Sequence, residues 1–335
     1  MTNIKPKSAL FFNYPAGDGD VYTKAHLDKI AAQTDFYPEV INVHNFDDHA
    51  AHLKEVEVIF ATWGMICFEK KHFAAMPNLK AVFYAAGNVK AFAQPLIDND
   101  ILLMSAWQAN AIPVAEMCLS QILLSLRGYF RSVRQYSKTQ SSTAKSYPRP
   151  GVNGATIGML GMGKIGTRLR FLLKDYPLKV IAYDPFLTEQ RAKELDIENV
   201  SMEEAFARSS VLCNHIPDTP DTRGVLTEPL FRSMPDGATF INTGRGAQVV
   251  EADMIRVLDE RPDMTALLDV TDPEPPTPNS ELWKLPNVII SPHIGGTIGD
   301  EVTRLSDLAI SEFERWHSGQ PIEQQVTAEI LKTMG

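Results

Sequence analysis

The sequence predicts an α/β protein with mainly parallel sheets, its 335 residues divided between two domains. Three observations carry this. Short apolar runs of strand length alternate with longer segments of helical periodicity along most of the chain. A chain of this length exceeds what one core usually holds. One stretch, residues 154–185, reads as strand, glycine turn, helix, strand and acid, the order of a parallel crossover unit.

In the first part of the chain, strands are expected over 9–13, 40–43, 56–61, 79–84 and 101–104, with a helical pattern over about 21–33. This half has no G-x-G-x-x-G. Asn110 is expected to cap a helix that carries Pro113 near its first turn. The helical pattern runs from 112 to about 137. Residues 127–150 hold six basic residues, no acidic ones and several tyrosines. A nucleic-acid patch is one reading; a solvated helix end with a linker, or part of a subunit interface, is preferred. Further on, Ser201 and Glu204 form a capping box. Strands are expected over 211–215, 238–242, 266–270 (containing Asp269) and 288–291, and a helix over 250–258. The last helix, 300–316, has Val302, Leu305, Ala309 and Phe313 on one face. There is no repeat beyond this alternation.

Composition sets limits. A net charge of −9 and a pI near 5.4 argue against general binding to nucleic acid or anionic membranes. Cys67, Cys118 and Cys213 form no C-x-x-C, which suits a reducing compartment and no metal cluster. The N-terminal segment has too short an apolar run for a signal peptide, and no 18-residue apolar stretch exists. The expectation is a cytoplasmic chain with no membrane span.

The unit at 154–185 carries the chemistry of a dinucleotide site. Gly161 permits the tight turn, Gly163 lets a pyrophosphate approach the backbone, and Gly166 allows close packing of helix on strand. The N–H groups at the helix start favour an anion. Asp184 ends the second strand, where it would accept hydrogen bonds from the adenosine ribose and repel a 2′-phosphate. NAD is therefore expected over NADP.

In an open parallel sheet, ligands sit beyond the carboxyl ends of the strands. That rule selects Arg245, Glu274 and His293, each placed just after a predicted strand. Histidine can give or take a proton near neutral pH. Glu274 would orient the imidazole and favour its protonated form. Arg245 would hold a carboxylate and polarise a carbonyl.

Five segments make the chain resemble the D-isomer-specific 2-hydroxyacid dehydrogenases: VAEM at 114–117, GMGKIG at 161–166, INTGRG at 241–246, LDVTDPEP at 268–275 and LPNVIISPHIGG at 285–296. The resemblance implies two doubly wound parallel-sheet domains. A flavodoxin-like substrate domain would take 1–108 and 300–335, and a Rossmann dinucleotide-binding domain 109–299. It implies a 2-keto acid reductase, passing a hydride between NAD and a 2-hydroxy acid, with Arg245, Glu274 and His293 catalytic. Cofactor contacts are implied at Gly161, Gly163, Lys164, Ile165, Gly166, Asp184, His215, Ile216, Thr243, Gly244, Arg245, Asp269, His293 and Gly295. Asp269 would meet the nicotinamide carboxamide, and His215 would lie beside the adenine. The backbone of Ala86, Gly87 and Asn88, with Arg245 and His293, would bind the substrate. A homodimer is implied, and no metal. The substrate loop, AAGNVK, departs from the family pattern, and Trp63 and Trp107 stand where smaller or polar residues are common. Two other functions on this fold compete: an NAD-sensing binding protein of the corepressor type, and formate dehydrogenase. The latter pairs its histidine with glutamine where this chain has Glu274.

Overall fold

A computed structural model describes residues 5–13, 20–141 and 151–334. The chain divides into two units. The first takes the chain through Asn110 and again from Thr297 to Met334; the second takes Ala111–Gly296. Among the described residues, every strand-to-strand ladder is parallel.

The first unit contains β1 (Lys7–Phe11), β2 (Asp35–Ile41), β3 (Val58–Ala61), β4 (Ala81–Tyr84) and β5 (Leu102–Ser105), in the order β2-β1-β3-β4-β5. This is the flavodoxin-like doubly wound order. The central strands read VIFA and AVFY and are buried throughout, as expected for parallel strands covered on both faces. Alternate residues serve opposite faces: Ile59 and Val82 join one apolar cluster, Phe60 and Phe83 the other. The helix Thr303–His317 closes the second face. Its Phe313 ring lies 5.1 Å from Phe60 and 5.6 Å from Phe83. Val302, Leu305, Ala309 and Phe313 are all buried there.

The second unit contains β6 (Thr156–Leu160), β7 (Lys179–Tyr183), β8 (Glu198–Asn199), β9 (Val211–Asn214), β10 (Thr239–Asn242), β11 (Thr265–Leu268) and β12 (Val288–Ile290). Their order is β12-β11-β10-β9-β6-β7-β8. From β6 the chain winds outward through β7 and β8, then crosses to β9 on the other side. That reversal makes the β6/β9 carboxyl ends the switch point where this architecture binds ligands. The capping box holds: Glu204 N–H donates to Ser201 Oγ at 3.1 Å and Ser201 N–H to Glu204 Oε2 at 3.0 Å.

Some expectations are corrected. The run from 112 to about 137 is two helices, Trp107–Leu126 and Tyr129–Thr139, broken at Gly128 with φ 65°. Asn110 does not cap the first. The Ala106 carbonyl already accepts from the Ala109 and Asn110 N–H groups, so the helix starts earlier and Pro113 lies inside it. Asn110 Oδ1 instead accepts from Thr297 N–H and Oγ–H, at 3.0 and 3.1 Å. Asp269 lies just past β11 rather than within it. The last helix opens with a 3-10 turn, Gly299–Val302. The helix Trp107–Leu126 is long and apolar enough to cross a membrane; half of its most apolar window is buried within the protein, with Ala115, Cys118 and Ile122 in the second unit's core. Residues 142–150 of the basic stretch and residues 1–4 at the N-terminus lie outside the described residues.

Candidate active site

The glycine turn follows β6. Gly161 has φ 92°, and a Cβ there would stand 2.8 Å from the His215 carbonyl oxygen. Both the left-handed backbone and the close crossing of the β9 loop demand glycine. A Cβ on Gly166 would collide with the Gly161 carbonyl, so glycine there lets the helix Lys164–Leu172 sit on the turn. Around Gly163 the space is open: a Cβ would meet nothing within 4 Å. That opening lies at the start of the helix, where N–H groups attract an anion. Burial pushes the Lys164 ammonium below its ordinary pKa.

Asp184, just past β7, is tied to the same turn. Its Oδ2 accepts from Met162 N–H at 2.7 Å and its Oδ1 from Phe186 N–H at 2.8 Å. Each carboxylate oxygen keeps lone pairs for a further donor. An open cradle, a helix N-terminus and an acid fixed beside it fit a dinucleotide with an unphosphorylated ribose.

His215 follows β9 and Thr243 follows β10. Thr243 Oγ1 lies 3.2 Å from His215 Nδ1 and 3.4 Å from Cys118 Sγ. His215 Nε2 is buried without a partner among the described residues. Burial lowers this imidazole's pKa to about 4, so the ring is neutral at neutral pH.

Past β11, Asp269 is buried and accepts three hydrogen bonds from the segment that carries His293. Ser291 Oγ–H and Ile294 N–H donate to Oδ1 at 2.5 and 2.9 Å, and Gly295 N–H donates to Oδ2 at 2.8 Å. A Cβ on Gly295 would stand 2.8 Å from that Oδ2. Asp269 therefore anchors this turn, a structural job beyond the carboxamide contact the sequence suggests. The anchor matters because His293 itself has φ 54°, a left-handed conformation that is strained for a side chain with a Cβ.

His293 Nδ1 lies 2.6 Å from Glu274 Oε1, with both side chains about half exposed. The ring's other nitrogen, Nε2, is the one available to a ligand. Arg245 follows β10 and is partly buried; its Nη1 donates to the Gly244 carbonyl at 2.8 Å. A Cβ on Gly246 would strike the Thr271 backbone, which brings the Arg245 turn against the segment leading to Glu274. The second unit thus gathers the predicted glycines, Lys164, Ile165, Asp184, His215, Ile216, Thr243, Arg245, Asp269, Glu274 and His293 along one carboxyl rim. Asn214, Asn242 and Gln248 lie fully buried beneath that rim and carry no sequence signal of function. Amides at strand ends and in loops read as turn formers or surface groups.

Ala86, Gly87 and Asn88 belong to the first unit, just past β4. The Ser105 hydroxyl lies within donating distance of the Ala86 and Gly87 carbonyls, at 2.9 and 2.7 Å. In a trans peptide the following N–H points opposite to the carbonyl, so Gly87 and Asn88 N–H are turned away from Ser105. Trp107 Nε1–H donates to Gln324 Oε1 at 3.1 Å, and Trp63 and Trp107 both pack against this unit's apolar cluster. That packing favours a core role for both indoles.

The family model "D-isomer specific 2-hydroxyacid dehydrogenase, NAD binding domain" matches residues 119–295. A D-3-phosphoglycerate dehydrogenase of Archaeoglobus fulgidus is 28% identical over 253 residues, 75% of this chain and 48% of that protein. A putative 2-hydroxyacid dehydrogenase of Bacillus subtilis is 30% identical over 275 residues, 78% of each chain. The chain spans about half the length of the phosphoglycerate dehydrogenases it matches. Among solved structures, the D-mandelate dehydrogenase of Rhodotorula graminis superposes with a TM-score of 0.78 at 20% identity, covering 96% of this chain and 97% of that one.

Proposed function

From the premise that this chain belongs to the D-isomer-specific 2-hydroxyacid dehydrogenases and carries their NAD-binding domain, we propose that it interconverts a 2-keto acid and a D-2-hydroxy acid. The observation that carries the reading is the His293–Glu274 pair, 2.6 Å apart at the carboxyl rim of a dinucleotide-binding sheet. Bound nicotinamide supplies or accepts the hydride. His293 holds the proton at Nε2 and gives it to the keto oxygen in reduction; in oxidation the same atom takes the hydroxyl proton. Glu274 orients the ring through Nδ1 and compensates its charge when it is protonated. Arg245 offers a planar fork to the substrate carboxylate. Asp269 holds the strained turn that aims His293. In the first unit, Ser105 presets Gly87 and Asn88 N–H as donors for a carboxylate.

The test is turnover of a 2-keto-acid panel (glyoxylate, pyruvate, hydroxypyruvate, phenylpyruvate) with NADH. Stereospecific formation of a D-2-hydroxy acid supports the reading. NADH binding with no turnover on any member would replace it with an NAD-sensing protein. A homodimer belongs to the same reading: Tyr129, Val133 and Tyr136 lie on one face of the helix Tyr129–Thr139 and are exposed. A mass measurement in solution decides that point. A cytoplasmic location is supported by the free, neighbouring buried thiols of Cys118 and Cys213.

A further inference from the structure

We infer that three buried amides, Asn214, Asn242 and Gln248, are positioning residues for Arg245, and through it set affinity for the substrate carboxylate. The inference rests on the reading of Arg245 given above.

Asn214 and Asn242 are register partners at the carboxyl ends of the adjacent strands β9 and β10. Gln248 lies in the 3-10 turn that follows Arg245. All three are at most 1% exposed. Asn214 Nδ2–H₂ donates to Asn242 Oδ1 at 3.0 Å and to Gln248 Oε1 at 2.7 Å. The remaining bonds go to the backbone of the two rim loops. Arg245 N–H donates to Gln248 Oε1 at 3.1 Å, and the Arg245 carbonyl accepts from Asn242 Nδ2 at 3.2 Å. Gly244 N–H donates to Asn242 Oδ1 at 3.1 Å. On the neighbouring loop, Ile216 N–H donates to Asn214 Oδ1 at 3.1 Å and the Ile216 carbonyl accepts from Gln248 Nε2 at 2.7 Å.

Both backbone polar groups of Arg245 are therefore held by side chains of one closed network, shared with the loop beside the glycine turn. Every side-chain nitrogen and oxygen of the three amides has a partner, which restricts the arrangements the network can take. Arg245 Cα is fixed, while its long side chain is left to meet a ligand. Apolar side chains of the same volume would fill the space but leave the N–H groups of Gly244, Arg245 and Ile216 and the carbonyls of Arg245 and Ile216 without these partners.

The experiment measures binding of oxamate, a non-reacting isostere of a 2-keto acid, to the enzyme–NADH complex, together with NADH affinity and melting temperature. Gln248→Met keeps the length and volume but removes the acceptor for Arg245 N–H. Oxamate should bind about tenfold more weakly, because small misplacements of a binding group are costly. The Ile216 carbonyl loses its Gln248 donor in the same variant, so oxamate binding is read at saturating NADH. Gln248→Glu is the conservative control and covers the case in which the methionine variant does not fold. In its protonated form the acid has an O–H for the Ile216 carbonyl and an acceptor oxygen for Arg245 N–H and Asn214 Nδ2, the bonds glutamine makes here. Its oxamate affinity, relative to wild type at the same pH, should recover as pH falls. Folded Gln248→Met with wild-type oxamate affinity, or Gln248→Glu whose relative affinity ignores pH, overturns the inference. Arg245→Ala separates the two levels. Unchanged oxamate binding there removes the reading of Arg245 itself. Weakened binding there with none in the Gln248 variants removes only the positioning role.

Discussion

His293 and Glu274 should act as one unit, and the structure sets the size of each loss. His293→Ala removes the only group proposed to move the proton. General acid catalysis contributes about 10²–10⁴-fold, so kcat for keto-acid reduction should fall by that factor, with NADH affinity nearly intact. Glu274→Gln keeps the shape and a hydrogen-bonding oxygen near Nδ1 but removes the charge. The pair is short, at 2.6 Å, yet the side chains are 48% and 41% exposed, so water screens much of the attraction. A hydrogen bond to a charged group is worth about 1.5–3 kcal/mol, and exposure places this one at the low end. About 1.5 kcal/mol is roughly tenfold in kcat. Glu274 works only through the ring, so the double variant should match His293→Ala within about threefold rather than multiply the two losses. Steady-state NADH oxidation, with NADH binding measured separately, reads all four proteins. Near-full turnover in His293→Ala would refute the mechanism, and multiplicative losses would refute the coupling.

Three other outcomes are expected. NADH should be preferred over NADPH in kcat/KM, because Asp184 is held against the glycine turn by Met162 N–H; Asp184→Ser should narrow the gap, and equal use of both by the wild type would sink the ribose role. His215 should make the fold acid-sensitive. Its pKa drops from 6.5 unfolded to about 4 folded, so below pH 6.5 the unfolded chain binds the extra proton. The stability that depends on this neutral ring is therefore full above pH 6.5 and declines as pH falls toward 4, by about 2 kcal/mol at pH 5. Urea unfolding at pH 7 and pH 5 should show a smaller decline for His215→Gln than for wild type; equal declines would contradict it. The basic stretch 127–150 should bind neither DNA nor RNA tightly at physiological ionic strength, given the net charge of −9; a tight, salt-sensitive complex in an anisotropy titration would show otherwise.

Local rules were enough for much of this protein. Strand alternation, the glycine spacing at 161, 163 and 166, the acid at 184 and the capping box at Ser201 depend on backbone sterics and on patterns a few residues long, so they are legible in a linear string. So is the placing of Arg245, Glu274 and His293 after successive strands, because the carboxyl-edge rule turns order in the chain into a shared rim. Other features came from contacts between distant segments. The helix starts at Trp107, ahead of Asn110, and the Asn110 side chain goes to Thr297, far away in sequence, a partner no local capping signal records. Asp269 reads as a ligand-binding acid; that it also accepts from Ser291, Ile294 and Gly295, the turn in which His293 has a left-handed backbone, is not legible in the string. Asn214, Asn242 and Gln248 look like ordinary loop amides until β9 and β10 are set side by side. Sequence determined which chemistries were present and on which edge of the sheet they fall. Only the tertiary structure decided which polar groups pair, because a hydrogen bond acts over about 3 Å of space whatever the separation along the chain.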